Sequence, residues 1–257
     1  MDLLRFVFWE AMKILCLAFL GLLTAKAVGS LPGAANGSKR GGPPKLKVAL
    51  YALVLALAVV GAWRVGYDVA AEAYNSASQD ELQRGEYLKA YSNALRAVEL
   101  RPGQIRYWRA LAMAKLYLRQ FSSLLADEPA FRALGGGTLD EADAYRFTLC
   151  YFLLGDYPAV ISSARQLIVR NPAFAAPYVL QGLSYTAEKD YAAAERSFLE
   201  VLEQFPVNQA AVEGLAHAYF LQGDRLRARK VLDETVKFPF PPDAQKRFVA
   251  LGELYGQ

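Results

Sequence analysis

"GDYPAVISSARQLIVRNP" occupies residues 155–172, and "KDYAAAERSFLEVLEQFP" occupies residues 189–206, 34 positions later. A third version, "GDRLRARKVLDETVKFPF", begins at Gly223, a further 34 residues on. A fourth, "GEYLKAYSNALRAVELRP", begins at Gly85, 70 residues before the first. That longer interval is two periods plus two residues, so one more unit with a small insertion lies inside it. A period of this length is too long for one helix and its turn, and it fits a helical pair. Gly at the turn supplies backbone freedom after the first helix. The Tyr two positions later opens the second helix and packs back. Small residues such as Ala90, Ala194 and Ala228 allow close helix approach, and Pro102, Pro172 and Pro206 end each second helix.

These residues resemble the tetratricopeptide repeat family. The unit from Phe174 carries the pattern most fully, through Tyr178, Gly182, Tyr185, Tyr191, Ala194, Phe198 and Pro206. The unit before it matches through Phe147, Tyr151, Gly155, Tyr157 and Pro172, and the last through Leu215, Ala216, Tyr219, Gly223 and Ala228. The first unit has a weak leading helix but keeps Gly85, Tyr87, Ala90, Ala97 and Pro102. The resemblance covers about residues 70–240. It implies an all-α fold, a solenoid of helical hairpins, and binding of proteins rather than catalysis.

The second unit departs from the pattern. "RYWRALAMAKLYLRQF" (106–121) reads as a good leading helix, but "SSLLADEPAFRALGGGTLDE" (122–141) stands where a regular second helix belongs. Pro129 interrupts it, and Gly135, Gly136 and Gly137 predict a loop. The next helix is expected to start with Thr138 as N-cap and Asp140 and Glu141 in its first turn. Tolerated drift and a partner-specific bulge both account for the irregularity. "PDAQKRFVALGELYGQ" (242–257) reads as a capping helix over the last apolar face.

Outward from the repeats, the N-terminal quarter has another composition. Residues 1–66 hold 8 Lys/Arg against 2 Asp/Glu, whereas residues 67–257 hold 21 against 23. The overall charge of +4 therefore lies beside hydrophobic segments, where it is a membrane-topology signal and not a nucleic-acid footprint. "LKVALYALVLALAVVGAW" (46–63) predicts a transmembrane helix. Its uncharged core spans roughly 24 Å at the helical rise, short of a hydrocarbon thickness of about 30 Å. Lys47 and Arg64 extend it by snorkelling. "LLRFVFWEAMKILCLAFLGLLTAKAV" (3–28) is punctuated by Arg5, Glu10 and Lys13. Three readings fit it: a spanning helix shielded by neighbours, an interfacial helix, or a signal peptide cleaved near Ala25-Lys26-Ala27.

The expected organisation is thus a membrane region over 1–66 and a solenoid over 67–257. The membrane region comprises a hydrophobic helix over about 4–28, a basic Gly/Pro linker over 29–45 and a transmembrane helix over about 46–66. The solenoid has about four repeats and a C-terminal capping helix. The two cysteines, Cys16 and Cys150, read as small buried hydrophobes, since their count and spacing exclude a disulfide framework.

The family resemblance places the inward positions of the leading helices at Arg106, Arg109, Met113 and Leu116, then Tyr145, Leu149 and Phe152. They continue through Val179, Leu183 and Thr186 to Glu213, His217 and Phe220. Arg109, Met113, Tyr145, Leu149, Phe152, Val179, Leu183, His217 and Phe220 are the partner-binding candidates. The Lys/Arg/Asn set with which some family members grip a terminal carboxylate is not reproduced, and the lining suits an amphipathic or apolar segment. No catalytic residue, cofactor, metal or small-molecule substrate is expected, because His217 is the only histidine and lacks a nucleophile beside it. The predicted partners are membrane or envelope proteins and the lipid bilayer, with no nucleic acid. Two functions compete: an accessory or assembly subunit of a multi-protein complex in a bacterial-type cytoplasmic membrane, and a transient adaptor or chaperone for envelope proteins.

Lys39, Arg40, Lys45 and Lys47 place the linker in the cytoplasm and the repeats on the periplasmic side. Protease added to intact spheroplasts is therefore expected to digest the repeat domain. Protection until lysis would reverse the orientation.

Overall fold

A computed structural model describes residues 45–256, and the expectations for segment 4–28 and for nearly all of the linker lie outside them. Among the described residues the regular structure is entirely helical. Packing separates Met1–Ala58 from Val59–Gln257. The described part of the first unit belongs to helix α1, Lys45–Gln83, 39 residues long. The part of α1 from Leu53 to Gln83 holds an 18-residue apolar stretch of mean hydropathy 1.6, none of it buried. By length and composition it is sufficient to cross a membrane. The sequence predicts a boundary near residue 66, but the helix runs on to Gln83 without a break. Gly61 and Gly66 are the glycines of that region, and each costs only about 1 kcal/mol inside a helix.

In the second unit the end of α1 is the leading helix of the first hairpin. Ala71, Asn75 and Ser78 turn inward and are buried. Ser78 Oγ donates to the Ala90 carbonyl at 2.9 Å, tying α1 to α2 (Tyr87–Leu100). The second hairpin is α3 (Ile105–Tyr117) with two short helices, α4 (Phe121–Leu125) and α5 (Glu128–Leu134). The remaining hairpins are α6 (Glu141–Leu154) with α7 (Tyr157–Arg170), α8 (Ala175–Ala187) with α9 (Tyr191–Gln204), and α10 (Gln209–Gln222) with α11 (Arg225–Glu234). A 3-10 turn, Thr235–Lys237, leads into α12 (Pro242–Gly256), which packs on α11 and α10.

Local sequence sets these boundaries. Asp140, Asp156, Asp190, Asn208 and Asp224 each accept a hydrogen bond from the backbone N–H three residues on, at 2.7–3.2 Å. That satisfies one orphan donor per helix. Asp140, not Thr138, therefore caps α6. Thr138 Oγ1 instead donates to the Gly135 carbonyl inside the preceding loop. Gly155 and Gly223 end their helices in the left-handed region. Lys189 occupies the corresponding place in the next hairpin at φ 65°, a conformation disfavoured by about 1–2 kcal/mol for a residue with a Cβ.

The core is a chain of clusters, each shared between neighbouring hairpins, as a solenoid requires. Ala90, Ala94, Ala194 and Ala228 are fully buried where helices approach closely. The tightest place surrounds Phe198, whose ring lies against the backbones of both α8 and α10. A Cβ on Gly182 would fall 2.7 Å from that ring, and one on Gly214 would fall 2.5 Å from it.

Gly182→Leu and Gly214→Ala are both expected to overpack this site and to destabilise the fold by about 1–3 kcal/mol. Thermal melts in a cycle with Phe198→Leu check the cause. The glycine substitutions should become markedly less damaging once the ring is shortened, and full additivity would place the strain elsewhere.

Candidate partner-binding surface

The leading helices α6, α8 and α10 pack side by side, so candidates on them share one helical layer. Leu149, Phe152 and Leu183 are half-buried there, and Met113 is half-buried on α3. Phe152 also meets Tyr157 edge-on, with ring centroids 6.1 Å apart. Tyr145 is half-buried against Phe174, centroids 5.1 Å apart. Burial pushes its phenol pKa up. Val179 does not join this surface. It is 8% exposed and belongs to the core around Phe198, because it turns toward the neighbouring hairpin.

The candidates on α10 meet the chain's own last helix. Phe220 stacks on Tyr255 at 4.4 Å, and His217 Nδ1 lies 3.2 Å from the Tyr255 hydroxyl. Glu213 accepts from Gln209 at 2.8 Å and pairs with Arg247 at 2.9 Å. His217 is exposed, and its carboxylate neighbour on the helix is thus engaged with α12 rather than orienting the imidazole. Among the described residues there is no group of three or more His, Cys, Asp or Glu placed to hold a metal.

Arg109 is 40% exposed and lies in a network that its sequence position does not announce. Its Nε and Nη2 both donate to Asp143 Oδ2 at 2.9 Å, and it also pairs with Asp140. Asp143, 1% exposed, takes a further cation in Arg146 through its other oxygen. This cluster fastens α3 to α6 at the irregular hairpin. Arg106 is similarly engaged, with Glu72 at 2.8 Å and the hydroxyl of the buried Tyr107 at 3.0 Å. The family resemblance marks these arginines as inward but says nothing of the acids 31–34 residues away.

The irregular unit is a closed hairpin, not an open bulge. Pro129 stands in the first turn of α5, where its missing N–H leaves no helical bond unmade. Lys115 donates to Asp127 at 2.6 Å and to the Ser123 carbonyl at 3.1 Å, a buried pair joining α3 to the break between α4 and α5. Phe131 is fully buried edge-on against Phe147, centroids 5.3 Å apart. Beside it a cavity of about 330 Å³ opens between α5 and α7, lined by Glu128, Arg132, Tyr151, Ser163 and Arg170 among others. Burial, and then the bond to Glu128, push the Tyr151 phenol up to about 12. Cys150 is buried as the sequence predicts, and burial pushes its thiol up to about 11, so it is a poor nucleophile. The basic run 225–230 is partly neutralised: Arg227 pairs with Asp224 at 2.5 Å and lies over the Tyr219 ring, and Arg229 reaches Asp233.

Residues 185–246 match the tetratricopeptide repeat family model. No curated protein matches the chain by sequence. Among solved structures, MamA 41-end from Desulfovibrio magneticus RS-1 superposes with a TM-score of 0.59 at 15% identity, covering 65% of this chain and 94% of its own. TTC0263, a thermophilic TPR protein of Thermus thermophilus, gives 0.53 at 18%, covering 72% and 100%. YrrB, described as a TPR protein with an unusual peptide-binding site, gives 0.53 at 17%, covering 64% and 84%. The fold is therefore a TPR-like solenoid, and the matched repeat with these neighbours supports a tetratricopeptide repeat protein. Such a fold suggests a scaffold for protein–protein interaction and is consistent with a non-enzyme.

The network around Asp143 generates a pH dependence. Burial alone would raise the Asp140 carboxyl, but the Asp143 N–H and the Arg109 guanidinium outweigh it and hold the pKa below its ordinary 3.8. A depressed folded-state pKa stabilises the fold above the unfolded value and loses that contribution as pH falls through the folded one. Wild type is expected to melt above Asp140→Asn at pH 6. The gap should narrow below about pH 3.9, as followed by circular dichroism.

Proposed function

We propose that this protein is a non-catalytic, membrane-anchored scaffold, an accessory or assembly subunit of a multi-protein membrane complex. The observation that carries the reading is α1. Its first part presents Leu53, Val54, Leu57 and Val60 to the outside, and its last part is the leading helix of the first hairpin. An exposed apolar run of that kind is costly in water and favourable in lipid. Trp63 and Tyr67, in edge contact at 4.9 Å, fit the interfacial belt at its end. The charge pattern supports a solenoid on the periplasmic side of a bacterial-type inner membrane, with 1–66 as membrane region and 67–257 as repeat domain.

Partners are held, in this reading, by the membrane helices and by the leading-helix groove. The half-buried apolar side chains of Met113, Leu149, Phe152 and Leu183 support it, with Arg109 and Tyr145 beside them. Peptide binding, the property given for YrrB, is the mode such a surface suits. Phe220 and His217 contribute at the α12 end only as far as Tyr255 leaves them free. A transient adaptor or chaperone for envelope proteins is the second reading, favoured by the apolar character of the same groove.

Affinity purification of the full chain in mild detergent tests both. Stoichiometric co-purifying membrane subunits are expected, whereas a broad mixture of substoichiometric clients would favour the adaptor. A folded Phe152→Ala/Leu183→Ala variant is expected to release the groove partner, since buried interface anchors contribute roughly 2 kcal/mol or more apiece. Full retention of partners by that variant would remove the groove from the function.

A further inference from the structure

The last described helix carries more of the repeat pattern than an end cap requires. Phe248, Leu251, Gly252 and Tyr255 on α12 repeat the spacing of Tyr178, Gln181, Gly182 and Tyr185 on α8. They also repeat that of Val212, Leu215, Ala216 and Tyr219 on α10. α12 is thus built as a leading helix, and its positions can be compared with theirs one by one. Leu180 and Ser184 on α8, and Gly214 and Ala218 on α10, are buried, and in each case the following leading helix packs alongside. Their counterparts on α12 are Ala250 and Leu254, and both are exposed. Val249, the counterpart of the buried Val179, is exposed as well. Val249 and Leu254 reach 62% and 58% exposure. An end unit suited to water carries a polar outer face, whereas this one offers Val, Ala and Leu.

The charges on the same face say what fits it. Lys246, Val249, Ala250 and Glu253 follow helical spacing along one outer stripe. Arg247 is engaged elsewhere, with Glu213 at 2.9 Å. Lys246 reaches only Asp243, at 4.0 Å, and both side chains are in solvent. Glu253 is exposed and makes no ion pair among the described residues. The stripe is positive at one end, negative at the other and apolar between, so it complements a copy of itself that runs the opposite way. When two α12 helices cross antiparallel between Val249 and Ala250, each Lys246 lies beside the Glu253 of the other copy. A parallel pairing sets like charge against like. Ala250 at the crossing lets the two backbones approach closely.

We propose that α12 is the contact between two copies of this chain, related by a two-fold axis passing between Val249 and Ala250. Such an interface is self-complementary and closed. Val249 and Ala250 form its apolar centre, and the two Lys246–Glu253 pairs fix direction and register. One helix pair is small beside a standard interface of about 1,600 Å², so the association is weak and is read best by covalent trapping.

Disulfide trapping of the purified full chain in mild detergent tests it. The background is Cys16→Ser, which leaves the buried Cys150 as the one native thiol. Under mild oxidation Ala250→Cys is expected to form a homodimer on a non-reducing gel, and Ser92→Cys, exposed on α2, is not. Adding Lys246→Glu or Glu253→Lys should slow the trapping roughly tenfold, because both symmetric pairs turn repulsive at once. Combining the two reversals restores opposite charges and should restore the rate. If Ala250→Cys lowers the helical melt, Val249→Cys on the same side of the crossing replaces it, with the same expected result. A folded variant that yields no homodimer, trapping no faster than that of Ser92→Cys, or a rate indifferent to the charge reversals would overturn the proposal.

Discussion

A helical hairpin has an apolar face on both sides and cannot bury either alone. Everything else in this chain follows from that constraint, and it is sharpest at Phe198. The ring has room only because positions 182 and 214, one on each adjoining leading helix, carry no side chain. It therefore fixes the spacing of α8, α9 and α10 at once. Interiors packed to crystal-like density tolerate little change at such a point. The stability of each hairpin thus depends on the next, and the array needs an end. α12 supplies it by burying Phe248 and Tyr255 against the last unit.

The same constraint shapes the irregular hairpin. Its second helix is broken, so the buried area that a continuous helix would provide has to come from elsewhere. Phe131 enters the core between Trp108 and Phe147, and the Lys115–Asp127 pair joins α3 to the break between α4 and α5. The Arg109–Asp143–Arg146 network then fastens this hairpin to the one after it. Buried ionic contacts of this kind add little net stability compared with apolar packing, but they penalise any other arrangement strongly. The break consequently leaves a defined cavity rather than a disordered loop.

The proposed function rests on two features that the array carries along. One is the apolar beginning of α1, which continues without interruption into the first leading helix. The other is the row of half-buried side chains on α3, α6 and α8. Away from them, the thiol of Cys150 is buried in the core and His217 Nδ1 lies 3.2 Å from the Tyr255 hydroxyl.

The sequence by itself determined the all-α class, the 34-residue register and the hairpin turns, because Gly turns and small buried alanines act over a few residues and are written where they act, whereas the cap of α6 and the end of α1 fell elsewhere than it predicts. Pro172 and Pro206 mark their boundaries for the same reason. Through the family resemblance it also marked Met113, Leu149, Phe152 and Leu183 as positions on leading helices. Tertiary structure decided the rest. Val179 and Leu183 lie four residues apart on one helix, yet only the first belongs to the buried core, because burial depends on the neighbouring hairpin. Phe220 looked open until α12 brought Tyr255 onto it from 35 residues away. The acids that engage Arg109 and the cavity beside Arg170 arise from contacts between helices that are distant in the chain. Such pairings depend on how hairpins stack, and no periodicity in a single strand of text encodes which side chains will meet there.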